Sequence, residues 1–433
     1  MPAKKRIGAI YQKKCFNSYR VELPKLPSLL SINNYYYRRG GAEVVFLEQN
    51  KMFEEIGWQV FPFAMQHPNN LPSEWAKFFP DEIEFGESYS FIEKASRAFK
   101  ITYSLEARKK LGRLLDMVRP DIAHAHNIYH HLSPSILSLL KARGIPTVLT
   151  LHDLKIACPA YKMLTHDGIC ERCKGGAIWN VALHRCVKNS LALSAVILME
   201  SSVHRLLGSY SKNVDRFIVP SRFFLEKFVE WGWPRDKIAY IPNFVNFDRL
   251  KPQNEIGNAF IYFGRLGHEK GLETFIRALK LSGLKGWIVG TGPDEGQLRR
   301  LVAETGAEVK FLGYLSGEKL FDAIRNARAT VLPSEWYENA PVSVLESYAL
   351  ERPVIGANIG GIPELVRAGV TGETFQSGDA EALADRMERI ASMSNEDVLT
   401  MGKAGRSWVT ESFTSRCYLD RVLSLYREIG GIL

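Results

Sequence analysis

Long apolar runs are what this 433-residue chain most lacks. The longest, LALSAVILM at 191–199, falls far short of the roughly 20 residues that cross a bilayer, which excludes a polytopic membrane protein. Cysteine is scarce, six residues in all, so a disulfide-stapled miniprotein is excluded too. Acid is nearly missing from residues 1–28, where seven cations face only Glu22 and supply +6 of the chain's +9. That segment also lacks the apolar stretch of a secretory signal, so it reads as a basic extension without a fold of its own. The other 405 residues carry only +3, which speaks against a nucleic-acid-binding domain. No repeat or low-complexity tract is visible, and without an export signal the cytoplasm is the expected compartment.

What is present is an alternation of apolar strands and helix-like segments. LLSIN (29–33), WQVFPFA (58–64), DIAHAH (121–126), TVLTLH (147–152) and RFIVPS (216–221) form one series of strands. AFIYFG (259–264), GWIVG (286–290), VKFLG (309–313), ATVLPS (329–334) and PVIGA (353–357) form a second. Near-continuous apolar strands separated by helices predict parallel sheets buried on both faces. The fold class expected is α/β, two Rossmann-like domains facing a central cleft. The predicted division is 29–245 for the first domain, with a Cys-rich insertion at 155–188, and 246–412 for the second. Residues 413–433 make a last helix with an apolar stripe of Phe413, Tyr418, Leu419, Val422 and Leu425. The boundary falls in the aperiodic, Pro- and Asn-rich 241–257.

Several motifs carry chemistry. Gly40-Gly41 follows a strand and opens a helix, where small residues let backbone amides approach an anion. In FGRLGHEKG (263–271) Arg265 and Lys270 project from a loop after a strand, two cations suited to a diphosphate. Glu338 and Glu346 stand eight positions apart around Asn339, Ala340, Pro341, Val342 and Ser343, and Gly360-Gly361 follow the next strand. A helix starting near Pro341 puts Glu346 in its second turn, with Glu338 in the preceding loop and the amides of Ala340, Val342 and Ser343 as a phosphate nest.

This E-x7-E element, the GRLGHEKG loop and the GG turn resemble the retaining, nucleotide-sugar-dependent glycosyltransferases of family 4, which have the two-Rossmann GT-B fold. HAHN (124–127), LHD (151–153), VPS, GTGPDEGQL (290–298), VKFLG and VLPS extend the resemblance, in order, over some 400 residues. It implies that Arg265 and Lys270 hold the diphosphate of a UDP- or GDP-sugar and stabilise the leaving nucleotide, with no catalytic metal. It also implies that the Gly41 amide touches the same phosphates, that Glu346 binds the ribose, and that Glu338 and His152 face the donor sugar. His126 is a less certain participant. Asn243-Phe244-Val245-Asn246 departs from the family's Asn-Gly-Val-Asp turn and reads as linker. The acceptor implied is a glycan or a lipid-linked sugar, in polysaccharide or glycolipid synthesis. A sugar-nucleotide epimerase or phosphorylase on the same fold, and a zinc-stapled interaction protein, are the alternatives.

Two further features stay open. Cys158, Cys170, Cys173 and Cys186 follow the spacing C-x11-C-x2-C-x12-C, which suits a structural zinc, disulfides or free thiols, with His166 and His184 as substitute ligands. The helix-like SLALSAVILMESSVHRLLGSY (190–210), with Lys174, Arg185 and Lys188 upstream, is either a buried helix of the first domain or one lying on an anionic membrane, at the inner face of the cell membrane.

Overall fold

A computed structural model describes residues 26–82, 102–165, 167–247 and 250–430. Most of the basic extension, and His166, lie outside the described residues.

Two six-stranded sheets dominate, and every strand pair within them is parallel. The first is built from β1 (Ser28–Ile32), β2 (Gln59–Phe63), β3 (Ile122–Ala125), β4 (Thr147–Thr150), β7 (Arg216–Val219) and β8 (Ile238–Tyr240), in the order β2-β1-β3-β4-β7-β8. The second contains β9 (Ala259–Phe263), β10 (Lys285–Val289), β11 (Val309–Gly313), β12 (Ala329–Leu332), β13 (Val354–Ala357) and β14 (Gly372–Phe375), in the order β11-β10-β9-β12-β13-β14. The two-domain α/β expectation is met. In each sheet the strand order reverses once, between β1 and β3 and between β9 and β12, and such switch points open a crevice at the carboxyl ends of the strands.

Burial explains the strands. All five residues of β1 and all four of β3, β4, β12 and β13 are buried, as sheets covered by helices on both faces require. Two of the four edge strands, β8 and β14, were not visible in the sequence, because they are short and β14 opens on a glycine and carries a glutamate.

The last helix, Ser415–Glu428, lies against the first sheet. Tyr418, Val422, Leu425 and Tyr426 pack with Leu29, Phe53, Ile122 and Val148, while Phe413 stays in the core of the second domain. Tyr426 bonds His124 at 2.7 Å, and the Tyr418 hydroxyl donates to Gln49 at 2.5 Å. The chain thus crosses between domains twice, and the crossings touch: Val245 N–H donates to Phe413 O at 2.9 Å.

Between β4 and β7 lies the cysteine module, with a two-stranded antiparallel hairpin of β5 (Leu164–Thr165) and β6 (Gly168–Ile169). Five of its non-glycine residues, Tyr161, Met163, Arg185, Lys188 and Asn189, hold positive φ. The helix Leu191–Leu207 that follows does not bury its apolar side; its buried residues are Ser194, Glu200 and His204. Of the two readings left open, the buried helix of the first domain is not what is seen, because a polar network on the inner face decides its orientation.

Candidate functional site

The candidate residues collect at the facing carboxyl edges of the two sheets. After β9 the chain turns through Gly264, whose φ of 153° suits glycine, since a Cβ there would meet the Tyr262 hydroxyl at 2.9 Å. Arg265 and Lys270 follow on this loop. Gly290 and Gly292, after β10, back it so closely that a Cβ on either would strike the carbonyl of Gly264 or Leu266. Glycine here serves close backbone packing that aims the two cations.

Lys270 Nζ lies 2.6 Å from Glu338, which also accepts from Ser334 Oγ at 2.8 Å. Burial pushes the Glu338 carboxyl up, but Lys270 and these hydrogen bonds outweigh it and leave the group below its usual range, hence ionised. The Lys270 ammonium also sits over the Trp336 ring, 5.0 Å from its centre. Arg265 reaches Glu269 at 3.0 Å, while more than half of its side chain stays exposed. Glu269 is buried and is also held by Lys162 from the cysteine module at 3.1 Å.

Pro341 caps the helix Val342–Ala349 without any side chain over its first amides, and Glu346 stands in the second turn. Glu346 is half-buried in the cleft; removal from water lifts its carboxyl to about 7, against the pull of Arg38 from the other domain. The helix Gly41–Glu55 likewise begins without a side-chain cap, and the space where a Gly41 side chain would stand is empty. Glu43, in its first turn, is buried, which raises its carboxyl.

His152, in the loop after β4, stacks on His126, their rings 5.2 Å apart, with His126 Nδ1 and His152 Nε2 sharing a hydrogen bond of 2.9 Å. His124 stacks beneath His126 and bonds Thr150 and Tyr426. Burial takes the His152 imidazole down to about 4 and His124 to about 3, so both are neutral at neutral pH. His152 can therefore orient a hydroxyl but does not supply a proton.

Further side chains join the domains across the cleft, among them Asn339, Glu364 and Asn243. Asn339 donates to Leu151 O at 3.0 Å and accepts from Ser221 Oγ at 2.8 Å, so its side chain bridges rather than stands free for a donor. Glu364 accepts from the backbone N–H groups of Arg222 and Phe223, capping a helix of the opposite domain. Asn243, in the segment read as linker, donates to Ala340 O at 2.8 Å and pins the nest loop.

Family comparisons follow this division. Residues 39–249 match the family described as "Glycosyltransferase Family 4", and residues 246–408 match "Glycosyl transferases group 1". The chain belongs to glycosyltransferase family 4. An amylovoran biosynthesis glycosyltransferase, AmsK of Erwinia amylovora, is 28% identical over 418 residues, covering 90% of this chain and 96% of the relative. The sulfoquinovosyl transferase SQD2 of Arabidopsis thaliana is 26% identical, covering 75% of this chain but only 59% of the plant protein. A sucrose-phosphate synthase from Thermosynechococcus elongatus shares the fold, with a TM-score of 0.69, 21% identity and coverage of 94% of this chain and 99% of that one. So does HepE of Anabaena, solved with UDP and glucose, at a TM-score of 0.65, 14% identity and coverage of 93% and 100%. As a family 4 glycosyltransferase, the protein adds Arg38, Glu43 and Glu269 to the residues read from its sequence. Glu269 sits inside the FGRLGHEKG motif and Arg38 two positions before the Gly40-Gly41 turn; each has a near partner, Arg265 and Glu48, and a remote one, Lys162 and Glu346.

The four cysteines of this glycosyltransferase line one small cavity, with Met163, Val181 and His184. All are free thiols. Burial, with the neighbouring thiols adding to it, pushes Cys158 up to about 11 and Cys173 up to about 12. Among the described residues no group of three or more His, Cys, Asp or Glu side chains is arranged to hold a metal ion.

Proposed function

We propose that the chain is a retaining, metal-independent glycosyltransferase that moves a hexose-type sugar from a nucleotide diphosphate sugar to a glycan or lipid-linked acceptor. The observation that carries this is the Lys270–Glu338 pair at the carboxyl edge of the second sheet, beside Arg265. An ionised carboxylate next to a half-buried ammonium accepts sugar hydroxyls on one side and offers cations to phosphate on the other. Lysine has three donors and Glu338 takes one, so others remain for the diphosphate. The exposed Arg265 fork adds two parallel hydrogen bonds. The uncapped amides around Val342 and Ser343 complete the phosphate site, and Glu346 meets the ribose diol.

In the reaction, the bond between the anomeric carbon and the phosphate oxygen breaks, and the bond from the acceptor oxygen forms on the same face. The departing diphosphate keeps the electron pair and takes the acceptor's proton. Arg265 and Lys270 stabilise the charge that develops on it. A fold neighbour solved with UDP and glucose supports a UDP-sugar donor, and relatives named for polysaccharide synthesis support that pathway class.

Incubation with labelled nucleotide sugars, with and without acceptor, tests the reading. Transfer that requires acceptor and vanishes in Glu338→Ala is expected. Product from donor alone would indicate an epimerase, and full turnover by the variant would overturn the site.

For the cysteine module we propose a structural zinc, supported by the ligand spacing and the shared cavity; the thiols must draw inward to grip it. Elemental analysis should find about one zinc per chain, lost in Cys170→Ser/Cys173→Ser. Zinc-free, stable protein would leave four packed thiols instead.

A further inference from the structure

The helix Leu191–Leu207 is inside out. Leu191, Leu193, Met199, Leu206 and Leu207 stand exposed, Leu206 at 85%. Leu191, Ala195, Met199, Ser202 and Leu206, spaced by three and four residues, form one stripe along the outer face. The short helix Asn180–Leu183 packs alongside and adds Trp179 and Leu183, 61% and 71% exposed.

The inner face explains why the helix cannot roll over to hide its leucines. Lys155 Nζ lies 2.9 Å from Glu200, and His130 Nδ1 lies 3.3 Å from the same carboxylate. His204 bonds Ser209 at 3.1 Å. Rotation would strand Lys155 as a buried charge without a partner, a cost above that of leaving leucines wet.

From Arg172 to Val214 the only acid is Glu200, and it is buried. Exposed charge along this segment therefore has one sign, and of its cations Lys174 and Arg172 are paired with acids from elsewhere, Glu230 and Asp167. Arg185, Lys188, Arg205 and Lys212 are exposed around the stripe. A second copy of the chain would bring the same four cations face to face, which like charge disfavours. Residues 1–28 are equally cationic.

We propose that this face docks on an anionic lipid bilayer, the stripe with Trp179 and Leu183 entering the headgroup boundary and the four cations lying over lipid phosphates. The docking is independent of which sugar is transferred. The loop after β4 carries His152 and runs on through Lys155, the anchor of this helix, so one loop links the docking face to the cleft.

Co-sedimentation of the full chain with phosphatidylcholine vesicles, with and without phosphatidylglycerol, tests it. The protein should pellet only with the anionic vesicles and be released by salt. Leu206→Ser/Leu207→Ser should lower the partition coefficient about tenfold. Arg185→Gln/Lys188→Gln should lower it roughly fivefold per charge. Both pairs are exposed, so melting curves and UDP-induced thermal shifts should not change, which separates this outcome from failure of the donor reading. Absence of binding by the native protein overturns the proposal, as does binding that neither pair weakens. Sedimentation velocity showing a dimer that the leucine pair disperses would also overturn it and assign the face to a second copy.

Discussion

Lys270 and Glu338 lie 68 positions apart in the chain and 2.6 Å apart in space. Each residue type was visible in its motif; the pairing was not, because it depends on β9 and β12 being neighbours. Glu338→Gln keeps the shape and hydrogen-bonding capacity but removes the charge that holds Lys270. Turnover should fall about 100-fold while donor-free melting moves by only a few degrees. Single-turnover kinetics with a calorimetric melt would check both parts, and an unchanged rate would remove Glu338 from the chemistry. Glu346 gives a prediction in pH. Its carboxyl, lifted to about 7 by burial, accepts both hydroxyls of a ribose diol only when ionised, since the protonated form turns one oxygen into a donor. Donor KM should therefore fall as pH rises through about 7, and Glu346→Gln should flatten that profile. His152, brought down to about 4, should contribute no step near its ordinary value, which imidazole NMR titration would show.

At the scale of elements, the closing helix Ser415–Glu428 behaves as part of the first domain's core. Its aromatic residues replace what would otherwise be a wet sheet face: Tyr426 stacks on Phe53 and bonds His124. Tyr426→Phe should cost about 1 kcal/mol through the lost hydrogen bond. Removing residues 413–433 exposes Phe53, Ile122 and Val148 together, and takes Phe413 from the second domain, so both domains should lose stability in denaturant titrations. A truncated chain that melts normally would refute this coupling. The stripe read from the sequence included Leu419, which is only partly buried, and omitted Tyr426, which is fully buried. Helical periodicity places a face within about a residue, and packing chooses the centre of that face.

For the whole molecule, polar contacts and the cysteine module bridge the cleft. Glu364 caps the helix Arg222–Glu230 from across the cleft, and Tyr337 donates to Glu171 at 2.9 Å. The paired crossings at Val245 and Phe413, joined by a backbone hydrogen bond, are where a hinge between the domains is expected. Closure excludes the water that would hydrolyse a bound donor. Glu364→Ala should shift the ensemble toward open forms, seen as a larger radius of gyration in X-ray scattering, and saturating nucleotide sugar should restore compactness. Identical curves for both proteins, with and without sugar, would count against a moving cleft.

Local pattern was sufficient for five of the six strands in each sheet, the crossover helix and the motif residues, because apolar strand runs and glycine spacing are properties of short segments. Arg265, Lys270, Glu338 and Glu346 could be named on that ground alone. Which groups meet was settled only by the tertiary structure. Asn339 became a bridge between domains because Leu151 and Ser221 lie opposite it. Arg38, ion-paired with Glu48, came close enough to pull on the charge of Glu346, which is remote from it in the chain. The helix Leu191–Leu207 turned its leucines outward because Glu200 had a buried lysine to satisfy. Composition along one segment does not reveal that partner, and the energy of an unpaired buried charge outweighs several exposed methyl groups.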